Sequence, residues 1–267
     1  MKLEVSRPKG GPITAEIDTF GGRLTSLRVD GMQLLVEHSP DSDNLRWGCY
    51  PMAPWCGRLA RGRLNWTDPV DEASTVHRFP LTSPPHAIHG LVNEVEWTQI
   101  DETTIATDLA DPWPFGGRVT QSFDLTAHSL TIHGEIRAGD MAMPAMFGWH
   151  PWFRKQLTRG KSATLSLIAE SAYSTDDNMI PTGHLGPVPS APWDTCMVDL
   201  LLDPVIVWGN ALTLTVSSTF DHWVIYTEPE HALCVEPQSG PPNEPNSDPR
   251  VLQPGESLSG SMTLTWT

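Results

Sequence analysis

The sequence predicts an all-β protein whose antiparallel strands form a large β-sandwich or a barrel. Apolar and polar residues alternate over many short segments, and the links between them are short and carry Gly, Pro, Asp or Asn. No long amphipathic helix can be identified. The 267 residues include 25 prolines and 21 glycines without a period, and helix interiors tolerate neither residue. These breakers favour short strands and many turns.

Strand-like alternation is clearest in the second half of the chain. Apolar residues take every second position at 212–216 and again at 262–266, with Thr between them. Similar patterns predict strands at 119–125, 129–136, 163–169, 222–227 and 231–236. Because polar residues occupy the alternate positions, one face of each sheet should meet water or a polar cleft.

Three stretches rich in Pro and Gly interrupt this pattern, at 80–90, 181–192 and 237–249. Apolar residues flank each stretch closely, so we expect functional or covering loops rather than disordered segments. No linker-like stretch and no tandem repeat divides the chain. We therefore predict a single domain over residues 1–267, which is long enough to bury a large core.

Composition and charge narrow the class of partner. The formal net charge of -15 argues against nucleic acid and against an anionic membrane surface, because both require clustered Lys and Arg. No stretch approaches the ~18 apolar residues of a membrane span. Eleven tryptophans accompany only three tyrosines. That excess fits a carbohydrate cleft, since indole rings stack on the faces of sugars.

The cysteines and the N-terminus bear on the cellular compartment. Cys49, Cys56, Cys196 and Cys234 form no CxxC word, and their spacing matches no zinc or disulfide framework. The first ten residues, MKLEVSRPKG, lack the apolar run of a signal peptide. We therefore predict a reduced, cytoplasmic protein.

His150 and Glu236, each followed directly by proline, are the candidate catalytic pair. They stand in the words GWHPWF and VEPQSG. A proline pushes the residue before it into extended conformation, so we expect both side chains at strand ends. Histidine can shuttle a proton near neutral pH, and together with a carboxylate it could supply an acid and a base. Each residue alone also fits a structural role, the histidine in a core and the glutamate in a solvated turn.

Three further polar residues lie in distinctive short sequence motifs. Arg58 follows the proline-punctuated run YPMAPWCG, His89 precedes a glycine in PHAIHGL, and Asp194 begins a predicted strand in PWDTCM. Trp223 and Tyr226 lie on a predicted strand shortly before the candidate glutamate.

Taken in order, five of these words resemble the motifs of the aldose 1-epimerase (galactose mutarotase) family. The family's words are an arginine after a Pro-containing strand, HG, an HxYF-like word, DxxF/M, and E(P/T)Q(T/S)GxPxxxN. The matching positions here are Arg58, His89-Gly90, HPWF at 150–153, DTCM at 194–197, and EPQSGPP from Glu236 with Asn246 beyond. The words follow the family's order over residues 50–246, so the resemblance covers most of the chain.

The resemblance implies a large antiparallel β-sandwich of the galactose-mutarotase type that interconverts the α and β anomers of a free aldose. By the family's motifs, His150 would protonate the ring oxygen and Glu236 would take the proton from the anomeric hydroxyl. His89 and Arg58 would contact sugar oxygens, and Asp194 would bind ring hydroxyls. The open-chain aldehyde would rotate and reclose from its other face.

The chemistry of this reaction needs only an acid and a base. Ring opening removes one proton from O1 and delivers one to O5, without redox change or covalent intermediate. Each positioned proton transfer is typically worth ~10²–10⁴ in rate. We therefore expect no metal, nucleotide or other cofactor. His86 lies three residues before His89, but the pair indicates a metal only weakly, because no further ligand has matching spacing.

Two departures from the family pattern bear on the substrate. Gly57 stands where many family members have Asn, and the chain is short for a galactose mutarotase, so substrate range could be altered. Two alternatives remain open. A non-catalytic sugar-binding protein on this fold would need the tryptophans but no acid–base pair. A hexose 6-phosphate mutarotase is the other, because Arg61 and Arg63 follow Arg58 closely. The sequence selects neither a preferred aldose nor an oligomeric state.

Overall fold

The chain is built almost entirely from strands and turns. The computed structural model describes residues 1–8, 10–40 and 43–267. Over these residues, seventeen strands form one large curled antiparallel sheet, and six more form three two-stranded ribbons. The prediction of an all-β, large antiparallel β-sandwich is confirmed.

Most of the strands follow one another through short connections. The first eleven are β1 (Lys2–Val5), β2 (Ile13–Asp18), β3 (Arg23–Val29), β4 (Met32–Gln33), β5 (Cys49–Met52), β6 (Arg58–Leu59), β7 (Arg63–Thr67), β8 (Ser74–Arg78), β9 (Ala87–Ile88), β10 (Thr98–Gln99) and β11 (Thr104–Asp108). The other twelve are β12 (Arg118–Leu125), β13 (Ser129–Arg137), β14 (Met143–Pro144), β15 (Gly148–Arg154), β16 (Thr164–Thr175), β17 (Pro181–Gly186), β18 (Asp194–Val207), β19 (Thr213–Ser218), β20 (His222–Tyr226), β21 (Ala232–Gln238), β22 (Val251–Leu252) and β23 (Ser257–Trp266).

Helical structure is limited, within the described residues, to a 3₁₀ turn at Ala60–Gly62 and a four-residue helix, α1 (Glu244–Ser247). Nothing helical in this part of the chain has the length and apolar character needed to cross a bilayer.

Alternation along the strands produces the core. In β13, Leu130, Ile132 and Ile136 are buried, whereas the residues between them are half-buried or exposed apart from one glycine. The alternating segments at 212–216 and 262–266 fall on β19 and β23, which pair with each other. Large side chains fill the interior, and truncating a buried Trp or Phe to Ala typically costs about 3–5 kcal/mol.

The largest differences from the predicted bounds lie in two neighbouring segments. The strand predicted at 163–169 continues to Thr175 as β16. The loop predicted at 181–192 is wrong over Pro181–Gly186, because β17 forms there and pairs with β16. Pro181 is the first residue of this edge strand, where a missing N–H removes no central ladder bond.

Consecutive side chains of β15 point to opposite faces of the sheet, one towards the core and the next away from it. Trp149 is fully buried, and its indole Nε1 donates to Gln121 Oε1 at 2.9 Å. The Gln121 amide in turn donates to the Gly22 carbonyl oxygen at 2.8 Å. Because side chains alternate along a strand, the next residue, His150, points to the other face. The candidate site lies on that face.

Candidate active site

A row of side chains across five neighbouring strands forms the floor of the candidate site. Tyr50 of β5 pairs with His150 of β15. The pairs on either side of it in β15 and β21 place His150 opposite Glu236. The row continues through Val224 of β20 to Cys196 of β18. Residues in one such row point to the same face of the sheet, so the strand register alone brings the candidate pair together.

The expectation that both candidate residues lie at strand ends is wrong. His150 lies inside β15 and Glu236 lies inside β21. Strand β15 is paired on both sides, by β5 and β21, which holds its backbone extended. Pro151 and Pro237 lack an N–H, and each replaces one potential ladder donor without ending its strand.

The candidate pair is within reach for direct proton exchange. His150 Nε2 lies 3.3 Å from Glu236 Oε1, and the two side chains are 6% and 2% exposed. Burial raises the pKa of the Glu236 carboxyl well above its usual range, and the nearby Asp194 carboxylate raises it further. Burial lowers the pKa of the His150 imidazole, and His89 lowers it further. Burial therefore opposes a separate charge on each member of the pair.

Two aromatic rings fix the orientation of the His150 imidazole. The Tyr50 ring stacks on it with centroids 4.9 Å apart and planes 30° apart. The Trp152 ring lies 5.2 Å away at an interplanar angle of 7°. An imidazole stacked on two rings has little freedom to rotate, which keeps Nε2 directed at the carboxylate.

His89 completes the buried part of the site. Its ring meets that of His150 edge-on, with centroids 4.8 Å apart. Its backbone is left-handed, with φ of 61°, and its N–H donates to the Gly57 carbonyl oxygen at 3.0 Å. Burial and the Arg58 guanidinium lower its pKa to about 3, so its imidazole is neutral at neutral pH. Gly90 has to be glycine, because a Cβ there would lie 1.9 Å from the Ala53 carbonyl oxygen.

Arg58 and Asp194 form an ion pair beside these groups. Arg58 Nη2 lies 3.2 Å from Asp194 Oδ2, and the side chains are 26% and 23% exposed. Arg58 is held by the ribbon β6–β9, where it pairs with Ile88. Asp194 begins β18, as predicted, and pairs with Tyr226 of β20. The carboxylate and the guanidinium thus compensate each other in a partly solvated position.

All five predicted site residues line one cleft of about 190 Å³. Trp152, Tyr226, Met179, Thr82 and Pro242 are among the other lining residues. The cleft draws on the predicted loops around 80–90 and 237–249, and on the β16–β17 connection. This size and mixture of polar and apolar groups suit a small ligand.

Arg61 and Arg63 do not share the position of Arg58. Both are exposed, and neither lines the cleft. Arg61 lies in the 3₁₀ turn and Arg63 begins β7. The three arginines therefore do not converge on one point.

The described residues contain one grouping that could offer three ligand atoms to a metal. Atoms of His89, His150 and Glu236 lie within 4.8 Å of one another. His86 is not part of it, and its Nδ1 accepts a hydrogen bond from the Arg61 backbone N–H at 3.1 Å. The expectation that no metal or cofactor is needed stays a prediction.

Three residues that bear on the site were not singled out from the sequence. Tyr50 appeared only as part of a word, and Arg23 and Glu244 carried no signal. Arg23 is 1% exposed at the start of β3, and Glu244 lies in α1 behind the late motif. A charged residue usually lies at the surface. A buried charged residue such as Arg23 is therefore recognised only from the structure.

A family model for aldose 1-epimerase matches residues 5–265 of the chain. The chain belongs to the aldose 1-epimerase family. The resemblance drawn from the five sequence words is thereby confirmed.

Solved structures share the fold of this aldose 1-epimerase family member at low sequence identity. A galactose mutarotase-like protein of Clostridium acetobutylicum has a TM-score of 0.82 and 16% identity, with 100% of this chain and 98% of that chain covered. A galactose mutarotase-like protein of Lactobacillus casei has a TM-score of 0.76 and 13% identity, with 100% of both chains covered. Galactose 1-epimerase of Lactobacillus acidophilus has a TM-score of 0.73 and 15% identity, with 100% and 98% covered.

The departure at Gly57 from the aldose 1-epimerase motif has a local cause. Gly57 has a φ of 61°, and a Cβ there would lie 2.7 Å from Pro242 Cγ. Pro242 lines the same cleft. An Asn at position 57 would collide with it, so the ring of Pro242 occupies space that an Asn side chain would need.

Proposed function

We propose that the protein is an aldose 1-epimerase that interconverts the α and β anomers of a free aldose. One observation carries the proposal: the His150 imidazole and the Glu236 carboxyl lie 3.3 Å apart in a buried corner of a cleft of about 190 Å³. Mutarotation needs a proton donor and a proton acceptor at two oxygens bound to the same carbon. An acid and a base this close together can reach both oxygens at once.

In ring opening, Glu236 takes the proton from the O1 hydroxyl while His150 gives one to the ring oxygen O5. The C1–O5 bond breaks, and its electron pair stays on O5. The O1 electrons form the C1=O1 bond of the open-chain aldehyde. Rotation about C1–C2 presents the other face of the carbonyl carbon, and the two groups reverse their roles during ring closure.

One proton shared between His150 and Glu236 is enough for this cycle. Burial opposes an isolated charge on either residue, raising the pKa of the glutamate and lowering that of the histidine. Within the pair, however, moving the proton from one partner to the other leaves the net charge unchanged. The pair therefore always contains one donor and one acceptor, and such coupled groups titrate as a unit.

The remaining polar groups bind the sugar. His89 is neutral, because its pKa is lowered to about 3, so its ring offers one N–H donor and one lone pair. Arg58 donates charge-assisted hydrogen bonds to sugar oxygens. Asp194 accepts hydrogen bonds from hydroxyls and can read their stereochemistry. Trp152 and Tyr226 supply apolar surface at the cleft.

The charge distribution favours a free aldose over a hexose 6-phosphate. Arg58 is compensated by Asp194 at 3.2 Å, and Arg46, the other arginine lining the cleft, lies 3.7 Å from Asp43. A phosphate dianion needs convergent donors whose charge is not already matched by carboxylates.

The alternative of a non-catalytic sugar-binding protein has less support. Burying a carboxyl that would be ionised in water costs free energy that simple binding would not require. A perturbed pair at the bottom of a cleft is more typical of catalysis.

The test is polarimetry of freshly dissolved α-glucose and α-galactose, with wild-type protein and with Glu236→Gln. Glu230→Gln is the matched control, because Glu230 is exposed just before β21. We expect the wild type and the control to accelerate the decay of optical rotation equally, and Glu236→Gln to leave it near the uncatalysed rate. Binding of either sugar without acceleration by the wild type would favour the non-catalytic alternative.

A further inference from the structure

Arg23 is a buried guanidinium on β3, separated from the candidate acid by the Tyr50 ring of β5. It is 1% exposed, and none of the described carboxylates lies within 4.0 Å of it. Its Nη1 donates to the Trp47 carbonyl oxygen at 2.6 Å, and its Nη2 donates to the Asn44 carbonyl oxygen at 2.9 Å. Its charge is therefore solvated by backbone dipoles rather than by water.

Two aromatic faces complete the environment of this guanidinium. Arg23 Cζ lies 4.3 Å from the ring centroid of Trp47 and 4.6 Å from that of Tyr50. Both distances are within the range of cation–π attraction, which is strongest away from water.

The strand register aligns Arg23 with the candidate catalytic pair. Leu24 pairs with Cys49, which places Arg23 opposite Tyr50, and Tyr50 pairs with His150. Strand β5 lies between β3 and β15, so the Tyr50 ring stands between the guanidinium and the imidazole. The row of side chains that runs through Tyr50, His150 and Glu236 thus begins with the positive charge of Arg23.

We propose that Arg23 is a positioning residue for His150, acting through the Tyr50 ring and through the constant charge that it places behind that ring. The inference rests on the proposed role of His150 as the acid. Arg23 acts in two ways, one geometric and one electrostatic.

The geometric action links the acid to the wall of the cleft. Arg23 ties down the carbonyls of Asn44 and Trp47, and the Tyr50 hydroxyl donates to the Leu45 carbonyl oxygen at 3.0 Å. Leu45 lines the cleft, while the other end of this network is the ring stacked on His150. The same network of hydrogen bonds therefore holds both the cleft wall at Leu45 and the ring stacked on His150.

The electrostatic action makes protonated His150 a stronger acid. Three titratable groups face its imidazole directly: His89, neutral Tyr50 and Glu236. Burial contributes most to lowering its pKa, His89 contributes next, and the Arg23 charge adds to both. A guanidinium keeps its proton throughout the working pH range, so its effect on the histidine is constant.

A buried charge is not needed merely to fill this space. Replacing a buried ion by apolar residues of similar volume is often neutral or stabilising, whereas retaining it carries a desolvation cost. An arginine that only packed against Trp47 and Tyr50 could be replaced by methionine without consequence for catalysis. The proposal predicts a catalytic consequence.

The test compares Arg23→Gln, Arg23→Met and Arg23→Lys with the wild type in kcat/KM against pH. Removing a positive charge raises the pKa values of both groups of the pair, so we expect the whole profile of Arg23→Gln to move to higher pH by about 0.5–1 unit. We expect kcat to fall about tenfold or more in the neutral variants, and the profile of Arg23→Lys to lie between those of Arg23→Gln and the wild type, because a lysine can carry the charge but loses its proton more readily than a guanidinium when buried. Arg23→Met is the second neutral variant, should Arg23→Gln not fold.

Arg28→Met is the matched control, because Arg28 lies on the same strand but pairs with Glu37 at the surface. It should leave both kcat and the profile unchanged. Neutral variants with the wild-type profile and unchanged kcat would overturn the proposal and leave Arg23 a packing residue.

An NMR titration of the His150 imidazole in the same variants needs no turnover. It therefore separates this inference from the proposed function. If the wild type turns over no aldose, a rise in the imidazole pKa on loss of the Arg23 charge still supports the electrostatic action. An unchanged imidazole pKa refutes it.

Discussion

His150 Nε2 and Glu236 Oε1 lie 3.3 Å apart because β15 and β21 are neighbouring strands in register, although the two residues are distant in sequence. Their separation is thus fixed by the main-chain ladder of the sheet. A side-chain substitution at either position should leave that ladder intact. Loss of activity can then be read as loss of the proton-transferring group.

The first prediction concerns this pair. His150→Asn and Glu236→Gln should each lower kcat by about 10² or more while the fold is retained, because each removes one proton transfer. The double variant should be little worse than either single one, since the two groups act as a unit. Polarimetry of freshly dissolved sugar gives kcat, and circular dichroism checks that the variants are folded.

His133→Asn is the control for the histidine variant, because His133 is exposed on β13 away from the cleft. It should keep the wild-type rate. A catalytic variant that keeps more than about a tenth of wild-type kcat would remove that residue from the acid–base role.

The second prediction concerns the ion pair between Arg58 and Asp194. Arg58→Met and Asp194→Ala should both raise KM, and Asp194→Ala should also change the ratio of glucose to galactose turnover. A carboxylate accepts bonds from particular hydroxyls, whereas a guanidinium tolerates many oxygen positions. Because the two side chains contact each other at 3.2 Å, their effects should not be additive. Equal glucose to galactose ratios in the two single variants would contradict this division of roles.

The sequence marked residues that line the cleft more successfully than it predicted their setting. Arg58, His89 and Asp194 could be chosen because motif words mark them, and all three line the cleft with the candidate pair. The same words could not reveal that Arg23 and Tyr50 extend the row, because register across β3, β5 and β15 depends on long-range pairing.

The prolines predicted the backbone conformation but not where the strands end. Pro151 correctly indicated extended backbone at His150, but the strand continued past it, because partners on both sides hold β15 in place. The stretch from Pro181 was predicted as a loop but forms an edge strand. A proline is tolerated at the first position of an edge strand, because no ladder hydrogen bond there requires its N–H.

The third prediction concerns stability against pH. Burial raises the pKa of the Glu244 carboxyl to about 7 from its ordinary 4.5; Arg250 opposes this rise, and Asp248 and Asp221 add to it. The folded state therefore keeps a proton that the unfolded chain has lost. This contribution is fully present below about pH 4.5 and is lost as pH rises towards 7.

Glu244→Gln should remove that pH dependence and stabilise the protein at pH 8 relative to wild type by about 1–2 kcal/mol. Urea denaturation at pH 5 and pH 8 measures it. Glu170→Gln is the control, since Glu170 is exposed on β16. A Glu244→Gln variant with the wild-type difference between the two pH values would refute the assignment.

The fourth prediction concerns metals. Activity should survive dialysis against a strong chelator, because ring opening requires only two proton transfers at the candidate pair. His89, His150 and Glu236 offer three nearby ligand atoms, so the measurement bears directly on their role. Activity that disappears on dialysis and returns with added zinc would contradict a purely acid–base mechanism.

The last prediction concerns phosphate. Free glucose should have a higher kcat/KM than glucose 6-phosphate in the same buffer. Arg58 and Arg46, the arginines lining the cleft, are each paired with an aspartate, and the chain carries a net charge of -15. Unpaired cationic donors for a dianion are therefore lacking among the described lining residues. Exposed charges act only within ~10 Å at 0.1 M salt, so the local pairs matter more than the net charge.

The variant Arg61→Gln/Arg63→Gln tests the remaining arginines, which are exposed and lie outside the cleft lining. It should leave the ratio of the two kcat/KM values unchanged. Asp194→Asn, in contrast, frees the Arg58 guanidinium and should narrow the preference for the free sugar. A wild type that prefers the phosphate, with a preference that the double arginine variant abolishes, would instead make those surface arginines the determinants of specificity.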